Sequence, residues 1–368
     1  MCGVLPLPAG GRGGGSPVKP DPEALRGPAC PLPVEDDRIG LPHGAGTGAT
    51  ADLFERILAP AFDNPTLAAR HDGAVLSFPG GRLAFTTDSF VVDPLFFPGG
   101  DIGSLAVYGT VNDLAVCGAR PAALSCALIL EEGLPVATLR RVVDSMASAA
   151  RACGVSIVTG DTKVVERGRG HGLYVNTAGI GWIRSGVELG PARVSPGDAV
   201  LVSGDPGRHA VAVLSRREGL GFECELESDA APVHELAEGL LAAVPATRCL
   251  RDPTRGGLGA VLLEVAAAAQ VSIRLEEPRI PIHPTVGAAC DLLGLDPLFL
   301  ASEGRLVAFV PAESVDRALE ALARHPAGHG AACIGQVEPG PPKVSLRGAL
   351  GGERLLVRPV ADPLPRIC

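Results

Sequence analysis

The chain has 368 residues, 46% of them hydrophobic, and a formal net charge of −9. This length predicts two domains with ordinary cores, and the acidic balance disfavours non-specific nucleic-acid binding, which needs a basic surface. The ten cysteines have no zinc-binding spacing, and there is neither a secretory signal nor an apolar run of 18 residues. We therefore expect a cytoplasmic protein with reduced thiols and no membrane segment.

The N-terminal half divides into an extension and a domain. Residues 1–38 contain eight prolines and no aromatic residue, so they are predicted to be a disordered extension. Residues 39–189 are predicted to form the first domain, with helices at about 101–117 and from Leu139 to Cys153. Its predicted strands are "AVLSF", "RLAFTTD", "AALSCALILEEG", "VSIVTGD" and "GLYVNTAGIGW".

A boundary is predicted within "GPARVSPGD", so that residues 190–347 form a second domain and residues 348–368 a tail. The second domain has predicted strands at "AVLVSG", "RLVAFV" and "AACIGQV". Its predicted helices lie near 207–217, 232–243, 256–269 and 312–324. Strands and helices alternate without the glycine signatures of a dinucleotide-binding or P-loop fold, which predicts two α+β domains.

Four aspartates lie at the ends of predicted elements, and such carboxylates suit Mg²⁺ that bridges nucleotide phosphates. Each of them has an alternative reading as a turn cap or a solvated helix residue. The glycine-rich "HGAGTGA" that precedes them is either a phosphate-binding loop or a flexible linker. The candidate residues are Gly44, Gly46 and Gly48 in the loop, and Asp88, Asp113, Asp161 and Asp252 as metal ligands.

Three further side chains suggest chemistry. Lys163 is one of only three lysines and follows Asp161 by two residues, so it could neutralise a transferring phosphoryl group or move protons. Glu303 in "ASEGRL" is either a general base or the ion-pair partner of Arg305. Cys368 ends the chain in "DPLPRIC", where it is either an accident of the terminus or a reactive carrier on an arm.

From about residue 40 onward, the sequence resembles the HypE family of hydrogenase maturation factors. That family belongs to the superfamily of aminoimidazole ribonucleotide synthetase, selenophosphate synthetase and thiamine-monophosphate kinase. "HGAGTG", "FTTDSFVVDPLFFPGGDIG", "GTVNDLAVCGARP" and "RDPTRGG" match the superfamily, whereas "GDTKVV" and the terminal "PRIC" match HypE. The family loop is closer to "HGSGG", so Ala45 puts a side-chain hydroxyl contact in doubt.

The resemblance implies a homodimer in which two N-terminal sheets form a barrel, a C-terminal α+β domain and a flexible C-terminal tail. It also implies that the carbamoyltransferase HypF loads Cys368, and that ATP and Mg²⁺ then drive dehydration of the carboxamide to a thiocyanate. The cyanide would pass to iron on the HypC–HypD complex for [NiFe]-hydrogenase.

The same resemblance assigns roles to individual residues. Cys368 is the carrier, while Lys163 and Glu303 handle protons at the carboxamide. The nucleotide and its metal would be bound by Gly44, Gly46, Gly48, Asp88, Asn112, Asp113, Asp161, Thr162 and Asp252.

Two other functions remain open from the sequence alone. The first is a superfamily kinase or synthetase that uses a free small substrate, as selenophosphate synthetase does, and this reading leaves "PRIC" unexplained. The second is a carrier that binds nucleotide without turning it over and only displays the thiol. Removal of Cys368 separates them, because the small-substrate enzyme alone would keep its function.

Overall fold

The computed structural model describes residues 74–219 and 226–359 apart from residue 79, together with positions 48, 51, 55, 364 and 366–368. The predicted extension at residues 1–38 lies outside the described residues. The same holds for Gly44 and Gly46 of the glycine-rich segment.

The first domain is built on a five-stranded sheet with the order β1-β2-β7-β5-β6. Neighbouring strands are antiparallel except for β5 and β6, which are parallel. Its elements are β1 (Ala74–Phe78), β2 (Gly81–Phe90), β3 (Phe96–Phe97), β4 (Gly100–Asp101), α1 (Ile102–Val116), β5 (Ala119–Glu131), α2 (Val136–Ala152), β6 (Ser156–Val165) and β7 (Leu173–Ile183). β3 and β4 form a separate short hairpin.

Helix α1 packs on one face of this sheet and is buried along most of its length. Asp101 begins the helix as its N-cap, and it forms a capping box with Ser104. The alternating burial of β7 shows which face is covered: Leu173, Val175 and Thr177 are buried, whereas the residues between them are more open. The sheet thus has one face against α1 and one face that is more accessible.

The second domain contains a seven-stranded sheet with the order β14-β13-β10-β12-β8-β11-β9. Apolar clusters lie on its two sides, one with α5 and the other with α4 and α7. Its elements are β8 (Asp198–Val202), α3 (Arg208–Glu218), α4 (His234–Ala243), β9 (Cys249–Arg251), α5 (Gly257–Ala269), β10 (Ser272–Glu276), α6 (Pro284–Leu293), β11 (Val307–Pro311), α7 (Val315–Ala323), β12 (Ala332–Glu338), β13 (Lys343–Arg347) and β14 (Glu353–Leu355).

β14 lies within the segment that was assigned to the tail, yet it pairs antiparallel with β13. The domain's sheet therefore extends into the predicted tail. A third apolar cluster joins the two domains, since it contains Val92 and Ile102 from the first and Val211 from α3. Ile367, next to the end of the chain, is buried in the same cluster at 5% exposure. In the part of the chain that the structure describes, no helix has the length and apolarity needed to cross a bilayer.

Candidate active site

Two of the predicted carboxylates come together where β2 meets α1. The Thr86 hydroxyl on β2 donates to Asp113 Oδ2 on α1 at 2.6 Å, so the strand orients the helix carboxylate. Asp88 lies two residues after Thr86 and therefore on the same face of β2. Both carboxylates are half-buried, which leaves each of them partly open to a ligand.

Glu303 lies in the loop before β11 and is only 3% exposed. Burial, followed by the negative charges of Asp252, Asp229 and Asp88, raises its pKa well above the ordinary value, although Arg255 acts in the opposite direction. Its Oε1 atom is buried without a hydrogen-bond partner among the described residues. A carboxyl in this state is a stronger base than an exposed one, and it has an unused acceptor.

The alternative reading of Glu303 as the partner of Arg305 is wrong. Arg305 instead pairs with Asp205 at 2.8 Å and approaches Asp229 at 3.7 Å. The Glu303 peptide N–H donates to Asp229 Oδ1 at 3.3 Å, so Asp229 connects the arginine to the loop. These contacts leave the Glu303 carboxyl outside the ion pair.

Asp252 is buried beside this loop. The Ser302 N–H donates to the Pro253 carbonyl at 2.9 Å, which holds the "RDPTRGG" segment against the residue that precedes Glu303. We refer to Asp88, Asp113, Asp252 and Glu303 as the acidic cluster. The structure thus brings together three of the four predicted aspartates and the predicted base.

Arg255 is a candidate site residue that the sequence reasoning missed. The residue as a whole is exposed, but surrounding protein atoms partly desolvate its guanidinium. Desolvation lowers its pKa, but the negative charges of Cys368, Asp88, Glu303 and Asp113 outweigh this effect and raise it. An arginine within "TRGG", three residues after the predicted metal ligand Asp252, was the available signal. A cation in this position can bind a phosphoryl group or a carboxylate.

The end of the chain is docked beside the same residues. The Val91 N–H donates to the carboxylate of Cys368 at 3.3 Å, and the Asp93 N–H donates to the Arg366 carbonyl at 3.1 Å. Arg366 Nε in turn donates to the Val91 carbonyl at 3.1 Å. The end of the chain, with its half-buried thiol that is not in a disulfide, is therefore held against the segment that follows β2, and the charge of Cys368 contributes to the raised pKa of Arg255.

Asn112 contacts protein backbone. Its amide donates to the carbonyls of Ala231 at 3.0 Å and Glu303 at 3.1 Å, and its Oδ1 accepts from the Val233 N–H at 2.8 Å. The side chain is 2% exposed, and both of its amide protons are used. These contacts give Asn112 a positioning role between the domains, whereas the nucleotide contact assigned to it stays a prediction.

We expect Asn112→Ala to lower the free energy of unfolding by about 1–3 kcal/mol, because three buried backbone groups lose their partner. Urea denaturation measures this change. Ser148→Ala is the control, since it removes an exposed hydroxyl that donates to the Asp144 carbonyl, and it should change stability by less than about 0.5 kcal/mol. Equal stability of both variants would contradict the positioning role.

Asp161, Thr162 and Lys163 lie on the exposed edge strand β6, and one chain does not bring Asp161 and Lys163 to the acidic cluster. Lys163 Nζ donates to Asp161 Oδ2 at 2.6 Å, and this hydrogen bond is the main reason that the pKa of Asp161 is lowered. The register pairs Asp88 with Thr177, Thr177 with Cys126, and Cys126 with Gly160.

Gly160 is therefore on the face of Asp88 but three strand spacings away, or about 14 Å. Its neighbour Asp161 points to the opposite face of the sheet, as does Lys163. Thr162 shares the face of Asp88 but lies further along the edge strand. Within the described part of one chain, Asp161, Thr162 and Lys163 therefore do not reach a nucleotide or metal that is bound at the acidic cluster.

Gly48 is the one loop glycine that the structure describes, and it has helical conformation. Within the described region, no group of three or more His, Cys, Asp or Glu side chains has metal-binding geometry. Mg²⁺ is commonly held by one or two carboxylates together with substrate phosphates. The half-buried carboxylates of Asp88 and Asp113 are hard oxygen donors of this kind, so they fit Mg²⁺ that arrives with phosphates.

Comparison with known proteins identifies the family of the chain. Residues 70–183 match the N-terminal domain of the AIR synthase related proteins, and residues 195–346 match their C-terminal domain. The carbamoyl dehydratase HypE of Cupriavidus necator is 49% identical over 340 residues, which cover 92% of this chain and 97% of that relative.

Two solved structures are similar over nearly their whole length. The HypE–HypF complex superposes with a TM-score of 0.80 at 44% identity and covers 83% of this chain and 99% of that chain. HypE in complex with ATP gives a TM-score of 0.76 at 46% identity over 90% of this chain and 100% of that chain. The chain belongs to the AIR synthase related family and, within it, to the HypE family.

Proposed function

We propose that the protein is an ATP-dependent dehydratase whose substrate is its own Cys368. The S-carboxamide on this residue would become a thiocyanate, and the cyanide would be donated to the iron of a [NiFe]-hydrogenase. The observation that carries the proposal is the docked end of the chain, where the Val91 N–H donates to the carboxylate of Cys368 at 3.3 Å, three residues after Asp88. A free small substrate would have to compete with this docked tail.

Removal of water from the carboxamide requires its oxygen to become a leaving group. Transfer of the γ-phosphoryl group of ATP to that oxygen achieves this, with ADP leaving. The carbon–oxygen bond then breaks, phosphate departs, and the two protons of the amide nitrogen are lost as the carbon–nitrogen triple bond forms. Carboxamide and ATP thus give thiocyanate, ADP and phosphate.

The residues of the acidic cluster and Arg255 have distinct roles in these reaction steps. Glu303 accepts a proton from the amide nitrogen, because burial makes its carboxyl a strong base and Oε1 is unpartnered within the described residues. Arg255 places positive charge beside the oxygen that receives the phosphoryl group. Asp88 and Asp113, with Asp252 nearby, would hold Mg²⁺, which when bound offsets the charge of the phosphates.

We propose a homodimer that forms through β6. This strand is the edge of its sheet, and Val158 and Val164 on it are each 66% exposed. An exposed apolar edge is a template for pairing with another chain. If the two sheets close into the barrel that the sequence predicts, the second copy could supply Asp161, Thr162 and Lys163 to the phosphates, which the described residues of the first chain do not.

The proposed partners follow the order of the chemistry. HypF, with which a similar protein has been solved, would load Cys368, and the HypC–HypD complex would receive the cyanide. These steps would take place in the cytoplasm. Because Cys368 has to meet HypF, the docked tail must leave its position during the cycle.

Intact-mass measurement tests the function directly. We expect a gain of about 43 Da on Cys368 after incubation with HypF, carbamoyl phosphate and ATP, and then a loss of about 18 Da in Mg²⁺–ATP. Cys368→Ser is the matched control and should gain no mass. A gain without the later loss would leave only a carrier, and no gain would indicate a kinase or synthetase with a free small substrate.

A further inference from the structure

The docked tail is held by a buried histidine that has no role in the chemistry above. His209 lies in the first turn of α3 and is fully buried, and its Nε2 lies 2.9 Å from the carbonyl oxygen of Ile367. Its Nδ1 lies 2.7 Å from Ser228 Oγ, and the ring packs edge-on against Phe97 at 5.2 Å. The last peptide bond of the chain is therefore bonded to the second domain from inside the protein.

The contacts define the tautomer of this histidine. The Ile367 carbonyl can only accept, so the proton is on Nε2 and Nδ1 is an acceptor. Ser228 Oγ already accepts from the Ala230 N–H at 3.0 Å, which leaves its O–H free to donate to Nδ1. Burial lowers the pKa of His209, although Asp229 and Ile367 oppose this, and the lowered pKa favours the neutral ring. Every polar atom of the arrangement is thus satisfied only when the tail is docked.

The same arrangement reaches the proposed base. Ser228 is followed by Asp229, whose Oδ1 accepts from the Glu303 N–H at 3.3 Å. Two adjacent residues therefore hold the histidine that binds the tail and the loop that carries Glu303. Withdrawal of the tail breaks the hydrogen bond between His209 Nε2 and the Ile367 carbonyl, and the loss of this bond penalises the undocked state.

We propose that His209 and Ser228 form a clamp that sets the equilibrium of Cys368 between two states. In the docked state Cys368 lies beside the acidic cluster, and in the undocked state it is outside the protein. His209 is a positioning residue in this proposal, because it acts on Cys368 through the Ile367 carbonyl. Loss of the clamp should raise the undocked fraction about tenfold, the effect of one hydrogen bond of ordinary strength. The inference that the clamp holds the tail in its docked position does not depend on the proposed function. The inference that the clamp affects the rates of loading and dehydration rests on the proposed function.

Alkylation of Cys368 tests the docking. A glutamate-specific protease cuts after Glu353 and releases a peptide in which Cys368 is the only thiol. In the full chain we expect His209→Ala to raise the alkylation rate of this peptide about tenfold. His209→Gln should remain near wild type, because the longer amide places an N–H where Nε2 was, whereas the shorter His209→Asn should behave like alanine. Rescue by glutamine but not by asparagine is not expected from a merely structural role.

Cys249 serves as the internal control, since it is fully buried in β9 and reports global opening. Alkylation that rises equally at Cys249 and Cys368, or that does not rise in His209→Ala, overturns the clamp. Neither result depends on the proposed function, so alkylation can contradict the clamp without contradicting the proposed dehydratase activity.

The kinetic part is tested by a mass time course with HypF, carbamoyl phosphate and ATP. We expect His209→Ala to gain the carbamoyl group up to about tenfold faster than wild type, because loading needs the undocked tail, and to lose water no faster than wild type, because dehydration needs the docked tail. Equal slowing of both steps overturns the role in partition. If wild-type protein gains no mass, the proposed function fails, and the alkylation result still decides the clamp.

Discussion

Glu303→Gln should retain carbamoyl loading and lose dehydration. Glutamine keeps the shape of the side chain but cannot accept the proton of the amide nitrogen, and removal of a general base typically lowers a rate by about 10²- to 10⁴-fold. In the mass experiment the species that has gained about 43 Da should accumulate without the later loss of water. This is the largest single effect that we expect from a conservative substitution.

The same substitution should stabilise the protein at neutral and alkaline pH. The pKa of Glu303 is raised above its unfolded value of 4.5, so the folded state binds more protons than the unfolded state between these two values. The free energy of unfolding therefore falls as the pH rises through this window. Glutamine carries no such titration, and the difference in stability between variant and wild type should grow with pH.

Urea denaturation across the pH range measures this difference beside the mass assay. Glu320→Gln is the control, because its side chain is exposed in α7 and pairs with Arg324 at the surface. It should leave both dehydration and the pH profile unchanged. A Glu303→Gln protein that dehydrates at the wild-type rate would remove Glu303 as the base.

Mixing two inactive variants should restore activity. Lys163→Ala and Glu303→Gln should each be inactive alone, because Lys163 from one chain and Glu303 from the other are proposed to complete one site. A mixed dimer then has one intact site and one site with both changes. After exchange of subunits, up to about one quarter of all sites should work, since half of the dimers are mixed.

The readout is the loss of about 18 Da from Cys368 after denaturation and renaturation of the two variants together. Each variant treated alone is the control and should stay inactive. If both residues served the site of their own chain, every site would carry a substitution and no activity would return. That result would contradict the shared site, although the homodimer could stand.

The two-domain α+β fold was predicted from the sequence and is confirmed, while the dimeric barrel and the flexible tail remain predictions. Long periodic segments were found readily: α1 and α2 lie where the apolar spacing placed helices. The pattern missed β3, β4, β9, β10, β13, β14 and α6. β10 and β13 are five-residue strands whose partners are remote in sequence, and short apolar runs of that kind are ambiguous by periodicity alone.

The candidate site was predicted only where local sequence signals were enough, and the parts that depend on contacts remote in sequence were missed. Asp88, Asp113 and Asp252 were recognised because a carboxylate at the end of an element is a local signal. The face on which Asp161 and Lys163 lie depends on the register across four strands. This register cannot be predicted from the residues near Asp161 and Lys163 in the sequence. The docking of Cys368 depends on Val91 and His209, which are remote from it along the chain.

The three hydrogen bonds of Asn112 have a consequence for domain movement. They connect α1, which carries Asp113, to the carbonyl of Glu303 and to the segment before α4. Domains joined by a linker move relative to each other unless a specific interface prevents it. Because these bonds join the two domains at the site, they oppose a hinge motion between the domains and hold Asp113 and the proposed base Glu303 at a fixed separation. Entry of nucleotide would then depend on movement of other segments, while the separation of the Asp113 and Glu303 carboxylates stays constant.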